Sequence, residues 1–392
     1  MRRLTLVAAG LAAGALGISG CTGAAGPPVE PTSPAATSAV PSGPPVPGVV
    51  IDVGWREFGA GVPLEHREIF EVVGRRYALG SDPGSPVDDP NQRARVVDRE
   101  TGRVVYRFQP AGPERLPGAA LFFERYALII DQSYAKSDGP DPVADRNVLW
   151  RVDLNAGTAE KVRLRTAKGL GYFSWSGEYG GEAVMMAVHP DGRECVLSVN
   201  PDTLAERLVH CVPRDKNLLQ VNTTRDGISM LLADGGEQST YDECKSRWWL
   251  DRGGDPRQLN PDAGCTIWEG IVIDGWEVTA ALDPTQVPLH DYSRAVAVRG
   301  DRRVDLGPIL SSTLVACGEH VYWLTEDYEL DAHWQEVRRW RPGTDRVETV
   351  LHQADEHGRR PPACTQGVFS TSHTAYKNAE PTAQHTRYLD NP

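Results

Sequence analysis

Three observations predict an all-β fold built from repeated four-stranded sheets. The first is residues 93–108, RARVVDRETGRVVYRF, where one β-rich run meets a tight polar turn at Asp98 and a second run leaves it. The second is recurrence. Runs ending ARVVD at Asp98, LWRVD at Asp153, LSVN at Asn200, RWWLD at Asp251, AVRG at Gly300, RRWRP at Pro342 and RYLD at Asp390 follow at intervals of roughly 40–55 residues, the span of a four-stranded propeller blade. The third is the material between them: β-branched and aromatic runs broken by Gly, Pro, Asp and Asn, with no long stretch of helical periodicity. Together they predict a seven-bladed β-propeller closed by an N-terminal strand, with six or eight blades as the alternatives.

In chain order, residues 1–20 carry Arg2 and Arg3, then an apolar run over residues 4–16, then small residues. That is the layout of a secretory signal, too short to span a bilayer. It closes on Ile18-Ser19-Gly20-Cys21, which resembles the lipobox of bacterial lipoproteins. The resemblance implies cleavage after Gly20 and lipidation of the Cys21 thiol. Several acyl chains, palmitate among them, would then anchor the protein to the extracytoplasmic face of the cell membrane, where one chain holds only reversibly. A plain signal peptide ending in a cysteine is the other reading. Residues 21–48 are Pro, Ala, Ser and Gly with almost no charge, cannot bury a core, and read as a disordered tether. Extended, it reaches at most roughly 80 Å at about 3.1 Å per residue. The alanine- and arginine-rich composition is similar to that of actinobacterial envelope proteins.

Residues 49–392 are expected to form the propeller. Blades one to six fall at about residues 67–108, 119–164, 172–211, 217–260, 265–308 and 311–352. After Cys364 there are three candidate strands, so the seventh blade wants an outer one. Residues 49–58, VVIDVGWREF, form a strand without a hairpin partner. Donated to blade seven, it closes the ring and covers an open edge. A donated outer strand starts at the face of the tight third-to-fourth turns. The tether should therefore leave from that face, with the second-to-third connections on the other.

Six cysteines remain after Cys21, an even number in an exported chain, so disulfides are expected. Cys195 and Cys211 lie about equally far from the turn at residues 200–204 and should face each other across one hairpin. Cys244 and Cys265 flank the next unit less symmetrically, and Cys317 and Cys364 occupy matching places in neighbouring blades. The pairing of these last four stays open. The absence of CxxC and of close Cys/His spacing argues against a metal site.

The formal charge is −12, and removing residues 1–20, whose only charges are Arg2 and Arg3, takes it to −14. Nucleic acid and anionic membrane surfaces repel such a chain, so no nucleic-acid partner is expected. The acidity gathers in the long second-to-third connections of five blades. Blade one carries Asp82, Asp88 and Asp89. Blade two carries Asp131, Tyr134, Asp138, Asp141 and Asp145. Blade four carries Glu237, Tyr241, Asp242 and Glu243; blade five Asp283, His290, Asp291 and Tyr292; blade six Glu326, Asp327, Tyr328, Asp331, His333 and Trp334. Only blade three, HPDGR, is tight. Aromatics among carboxylates on loops suit a protein, glycan or cationic ligand, and Asp138, Asp141, Tyr241, Asp242, Asp291, Tyr292, Asp327, Tyr328, Asp331 and Trp334 are the candidate contacts. The plainer reading is that acidic loops keep an exported protein soluble. The carboxylates of residues 138–145 lack the spacing of an EF-hand calcium loop.

Catalytic motifs are thin. There is no GxSxG, HExxH or Walker loop, and Gly169-Leu170-Gly171 reads as a turn. His290 and His333, each beside loop carboxylates, are the only candidates for acid–base work. Trp150, Trp249 and Trp340 sit in repeat register and are expected to pack between blades. Over most of residues 49–392 the repeat resembles quinoprotein-like and WD40-like propellers, which implies the radial fold. No WD dipeptide closes the blades and the quinoprotein tryptophan docking motif is absent, so neither activity nor quinone carries over, and no cofactor is expected. The expected role is a non-enzymatic binding or scaffold module of the cell envelope, tethered at Cys21. A propeller hydrolase or lyase acting on an envelope substrate is the alternative.

Overall fold

The repeat read from the turns is the repeat of the fold. The structure, a computed structural model, describes residues 49–58, 70–81, 94–109, 111, 115–133, 147–171, 176–234, 244–251, 253–263, 265–282, 293–327, 334–354, 356–357, 362–377 and 380–390. Among the described residues seven sheets follow one another along the chain, the blades of a seven-bladed β-propeller. The innermost strands are Phe70–Val73, Arg115–Phe122, Ser176–Tyr179, Lys216–Thr223, Ile267–Ile273, Val315–Cys317 and Ala363–Thr365. Second strands are Tyr77–Ser81, Tyr126–Ser133, Glu182–Val188, Gly227–Asp234, Trp276–Leu282, His320–Asp327 and Val368–Lys377. Third strands are Ala94–Asp98, Val148–Asp153, Glu194–Val199, Lys245–Asp251, Ser293–Arg299, Trp334–Trp340 and Glu380–Asp390.

The polar residue that ends a third strand is there because its side chain builds the next turn. Asp98 Oδ1 accepts the amides of Glu100 and Thr101 at 3.0 and 3.1 Å. Asp153 Oδ1 accepts Asn155 and Ala156 at 3.0 and 2.9 Å, and Asn200 Oδ1 accepts Asp202 and Thr203 at 3.1 and 2.9 Å. Each carboxylate or amide thus replaces a backbone acceptor in the turn. The residue that follows is left-handed: Gly102 at φ 67°, Gly157 at φ 66°, and Leu204 at φ 57°, where a side chain bears the steric cost that glycine avoids.

Alternation along the strands gives each blade two faces, and the apolar ones meet between blades. The buried apolar side chains form one cluster per interface. Val72, Leu79 and Phe108 of blade one meet Phe122 and Ile129 of blade two; Leu128 and Leu149 meet Met185 and Leu197 of blade three. Met186 and Val196 meet Leu218 and Met230 of blade four. Trp276 and Val278 of blade five meet Trp323 and Trp340 of blade six. Blade six meets blade seven through Tyr322, Leu324 and Phe369, and blade seven meets blade one through Val368, Val73 and Phe58. Between blades four and five the cluster shrinks to Trp249, Leu259 and Val272.

The N-terminal segment closes the ring in two places, where the sequence suggested one continuous strand. Arg56–Glu57 pairs antiparallel with the third strand of blade seven, Arg56 opposite Tyr388, as its outer strand. Val49–Val50 instead lies parallel on the outer strand of blade six, Val347–Ala354, with Val49 beside Glu348. Between the two, Trp55 donates its indole N–H to the Val350 carbonyl at 2.6 Å and sets its ring edge-on to Phe369, centroids 6.0 Å apart. A bend that spans two blades holds both, which a single strand in one sheet does not.

All six cysteines after Cys21 are paired: Cys195–Cys211, Cys244–Cys265 and Cys317–Cys364. Cys195 faces Cys211 directly in the hairpin register. Trp340 stacks edge-on against Trp276 of blade five at 5.4 Å, and Trp150 against Phe108 of blade one at 5.9 Å, so both pack between blades as expected. Gly169-Leu170-Gly171 is not the expected turn. Gly169–Leu170 is a short strand against Val188 and Ala187, and a Cβ on Gly171 would stand 2.8 Å from Met186 Cβ. Glycine there serves close packing.

Candidate functional site

Second strands run toward one edge of the ring and third strands start from it, so the five long connections, residues 82–93, 134–146, 235–243, 283–292 and 328–333, are all carried on that edge. Antiparallel pairing enforces this: Ser81 lies opposite Ala94, Leu282 opposite Ser293, and Asp327 opposite Trp334. Asp327 and Trp334 therefore stand as the paired last rungs below one connection. Asp138, Asp141, Tyr241, Asp242, Asp291, Tyr292, Tyr328 and Asp331 lie outside the described residues, as do His290, His333, Cys21 and the acidic run 138–145. Blade three has the tight turn its HPDGR implied. Asp191 there accepts the Arg193 amide at 3.0 Å and faces His189 Nδ1 at 2.8 Å and Arg193 Nε at 2.9 Å, contacts that hold its carboxyl well below the usual range.

Below this edge lies a layer of buried polar side chains, of which the sequence pointed only to Asp131, expected on a loop and found instead buried in the second strand of blade two, opposite Pro117. Near the starts of the third strands of blades two, three and four, a side chain reaches the inner edge of the next blade. Asn147 donates to the Gly171 carbonyl, Glu194 accepts the Leu218 amide, and Arg247 Nε donates to the Trp268 carbonyl at 2.7 Å. Inner strands are irregular here, with bulges between Leu218 and Gln220 and between Ile267 and Glu269 that expose backbone groups to be satisfied. Burial pushes the Glu194 carboxyl up, partly offset by the Leu218 amide. Asp131, buried completely, is likewise pushed up by burial while the Ala111 amide at 2.9 Å and the Arg115 guanidinium at 3.5 Å pull it down.

A strong perturbation falls where the apolar cluster is smallest. Arg247 of blade four and Glu269 of blade five, 0 and 1 % exposed, stand 3.8 Å apart. Arg247 also donates to Gln220 and reaches Ser229 Oγ at 3.5 Å, and Ser229 in turn donates to the Gly270 carbonyl. Glu269 accepts the Ser312 amide through one oxygen, while its other has no hydrogen-bond partner among the described residues. Burial raises the Glu269 carboxyl to about 7 against the pull of Arg247 and Ser312, and burial lowers Arg247 to about 10. Both side chains are sealed from solvent, which suits holding two blades together and not touching a ligand. A signal was available in the sequence: Glu269 interrupts the apolar run IWEGIVI, and Arg247 the run KSRWWLD.

The architecture is similar to propellers of known structure. The β-propeller domain of the Trilobed protease from Pyrococcus furiosus, with its open velcro topology, is 8% identical at a TM-score of 0.51, covering 83% of this chain and 96% of that one. The polysaccharide lyase Uly1 is 10% identical at a TM-score of 0.50, covering 82% of this chain and 89% of that one. No protein-family model matches the chain, and no curated protein does. The likeness is therefore one of fold: a β-propeller.

Proposed function

We propose that this protein is a lipid-anchored, extracytoplasmic binding module that captures a protein or glycan of the cell envelope on the edge carrying its long connections. One observation carries the reading: five connections rich in carboxylates, four of them with a tyrosine, spring from one edge of the ring. The N-terminal segment enters at the other edge, with Val49 level with Glu348 near the start of an outer strand. A tether from Cys21 would thus present the connections away from the membrane. Three disulfides suit an oxidising compartment.

The test is crosslinking in intact cells, comparing the full-length protein with a variant carrying Asp138→Lys, Asp141→Lys, Asp327→Lys and Asp331→Lys. The native chain should capture a specific partner, and the variant should lose it at unchanged melting temperature. Equal capture by both would remove these connections from the reading. The second reading, a hydrolase or lyase, draws on the placement of His290 and His333 in connections of consecutive blades. It requires turnover of an envelope substrate that His290→Ala or His333→Ala abolishes.

A further inference from the structure

A cavity of about 280 Å³ opens between blades three and four at the edge opposite the long connections. Val209, Ile228 and Leu250 give it an apolar floor, and Glu182, Arg207 and Asp251 bring charge to its walls. Glu182 is partly committed: one oxygen accepts from the Ser198 hydroxyl and from Arg207 at 3.2 Å. Among the described lining residues, two carboxylates stand against one guanidinium.

The internal repeat shows how an aspartate at the Asp251 position is partnered in other blades. In blades one and two the second strand opens on Tyr77 or Tyr126, just after Arg76 or Arg125, and each tyrosine lies opposite the aspartate that ends the third strand, Asp98 or Asp153. Each arginine pairs with that aspartate, at 3.0 Å in blade one and 2.9 Å in blade two. Each also lies over its tyrosine ring, 5.3 and 4.9 Å from the centroid. Blade four keeps the aspartate and loses both companions. Asp251 lies opposite Gly227, and the residue before that glycine is Asp226. Arg225 turns to Asp274 of blade five instead. Among the described residues no cation forms an ion pair with Asp251.

We infer that this cavity binds a guanidinium, amidinium or ammonium group carried on an apolar or aromatic body, the chemistry of an arginine or lysine side chain on a partner peptide. The cation pairs with Asp251 from within the cavity, as Arg76 and Arg125 pair with Asp98 and Asp153 from their own strands. The body covers the floor of Val209, Ile228 and Leu250. Charge-assisted contact with a carboxylate gives the preference for a cation, and the apolar floor gives the affinity for its carrier.

Benzamidine is the probe, with benzamide as its uncharged isostere, titrated into the full chain and followed by calorimetry and by NMR shifts. Benzamidine should saturate one site, with benzamide and the Asp251→Asn variant each weaker by about tenfold or more, the size of one charge-assisted contact. The control Asp345→Asn, at a carboxylate 83 % exposed on blade six, should bind as the native chain does. Asp251→Asn should leave the melting temperature in place, since Asp251 is exposed. Equal affinity for benzamidine and benzamide, unchanged binding in Asp251→Asn, or no saturable binding would each overturn the assignment.

Discussion

Arg99, in the turn of blade one, donates to Asp390, the last residue of blade seven's third strand, at 3.2 Å, and its guanidinium lies 4.0 Å from the centre of the Tyr388 ring. Asp390 holds the repeat position where Asp98 and Asp153 build turns, yet here the carboxylate takes cations from two other parts of the ring. The second is Arg56 of the N-terminal strand, at 3.0 Å. The two contacts differ in worth because Arg99 is 8 % exposed and Arg56 67 %. Arg99→Ala should cost about 2 kcal/mol in chemical denaturation, and Arg56→Ala under about 0.5 kcal/mol. Equal costs would mean the closure does not depend on the buried contact.

Trp55 joins blades six and seven through one ring. Trp55→Ala should destabilise by about 3 kcal/mol, the low end of large-to-small aromatic losses for a half-buried residue. Hydrogen exchange should rise first in Val347–Ala354 and Glu380–Asp390, the strands that the N-terminal segment covers. Trp55→Phe keeps the contact with Phe369 and loses only the bond to Val350. Exchange confined to one of the two strands in Trp55→Ala would separate the closure of blade six from that of blade seven.

The disulfides should rank by the loops they close. Cys317–Cys364 links two blades across 47 residues, whereas Cys195–Cys211 spans 16 within one hairpin. Loop-closure entropy assigns roughly 4 kcal/mol to the first and roughly 3 kcal/mol to the second. Cys317→Ser with Cys364→Ser should therefore lower stability more than Cys195→Ser with Cys211→Ser, a difference that urea midpoints can resolve.

The Glu269 carboxyl should write a slope into stability against pH. Its folded value, about 7, lies above the ordinary 4.5, so between the two the folded protein keeps a proton that the unfolded chain has released. Stability should fall as pH rises through that window, by up to roughly 3 kcal/mol, and level off above it. Glu269→Gln keeps an acceptor for the Ser312 amide and should flatten the slope between about pH 4.5 and 7. Glu269→Ala, which leaves Arg247 buried without a counter-charge, should be the more damaging variant, by about 3 kcal/mol or more.

Local chemistry made much of this fold legible. Asp98, Asp153 and Asn200 mark turns because a short polar side chain accepts the amides two and three residues on, a relation contained within a few positions. Cys195 and Cys211 could be paired by counting from their turn, since hairpin register is symmetric about it. The placement of the acidic connections on one edge followed from antiparallel strand order alone.

Polar interactions between blades were not legible, because their partners lie tens to hundreds of residues apart and no periodicity links them. Arg247 and Glu269 meet only when blade four packs on blade five. Residues 49–58 read as one strand because their composition suits one, and they bend because Trp55 finds Val350, nearly the whole chain away, more readily than a straight path allows. The sequence by itself determined the all-β class, the repeat, its turns and the hairpin disulfide, all set by short-range backbone chemistry. Only the tertiary structure decided that the closing segment also lies on blade six, which charges are sealed between blades, and that a cavity opens beside Asp251.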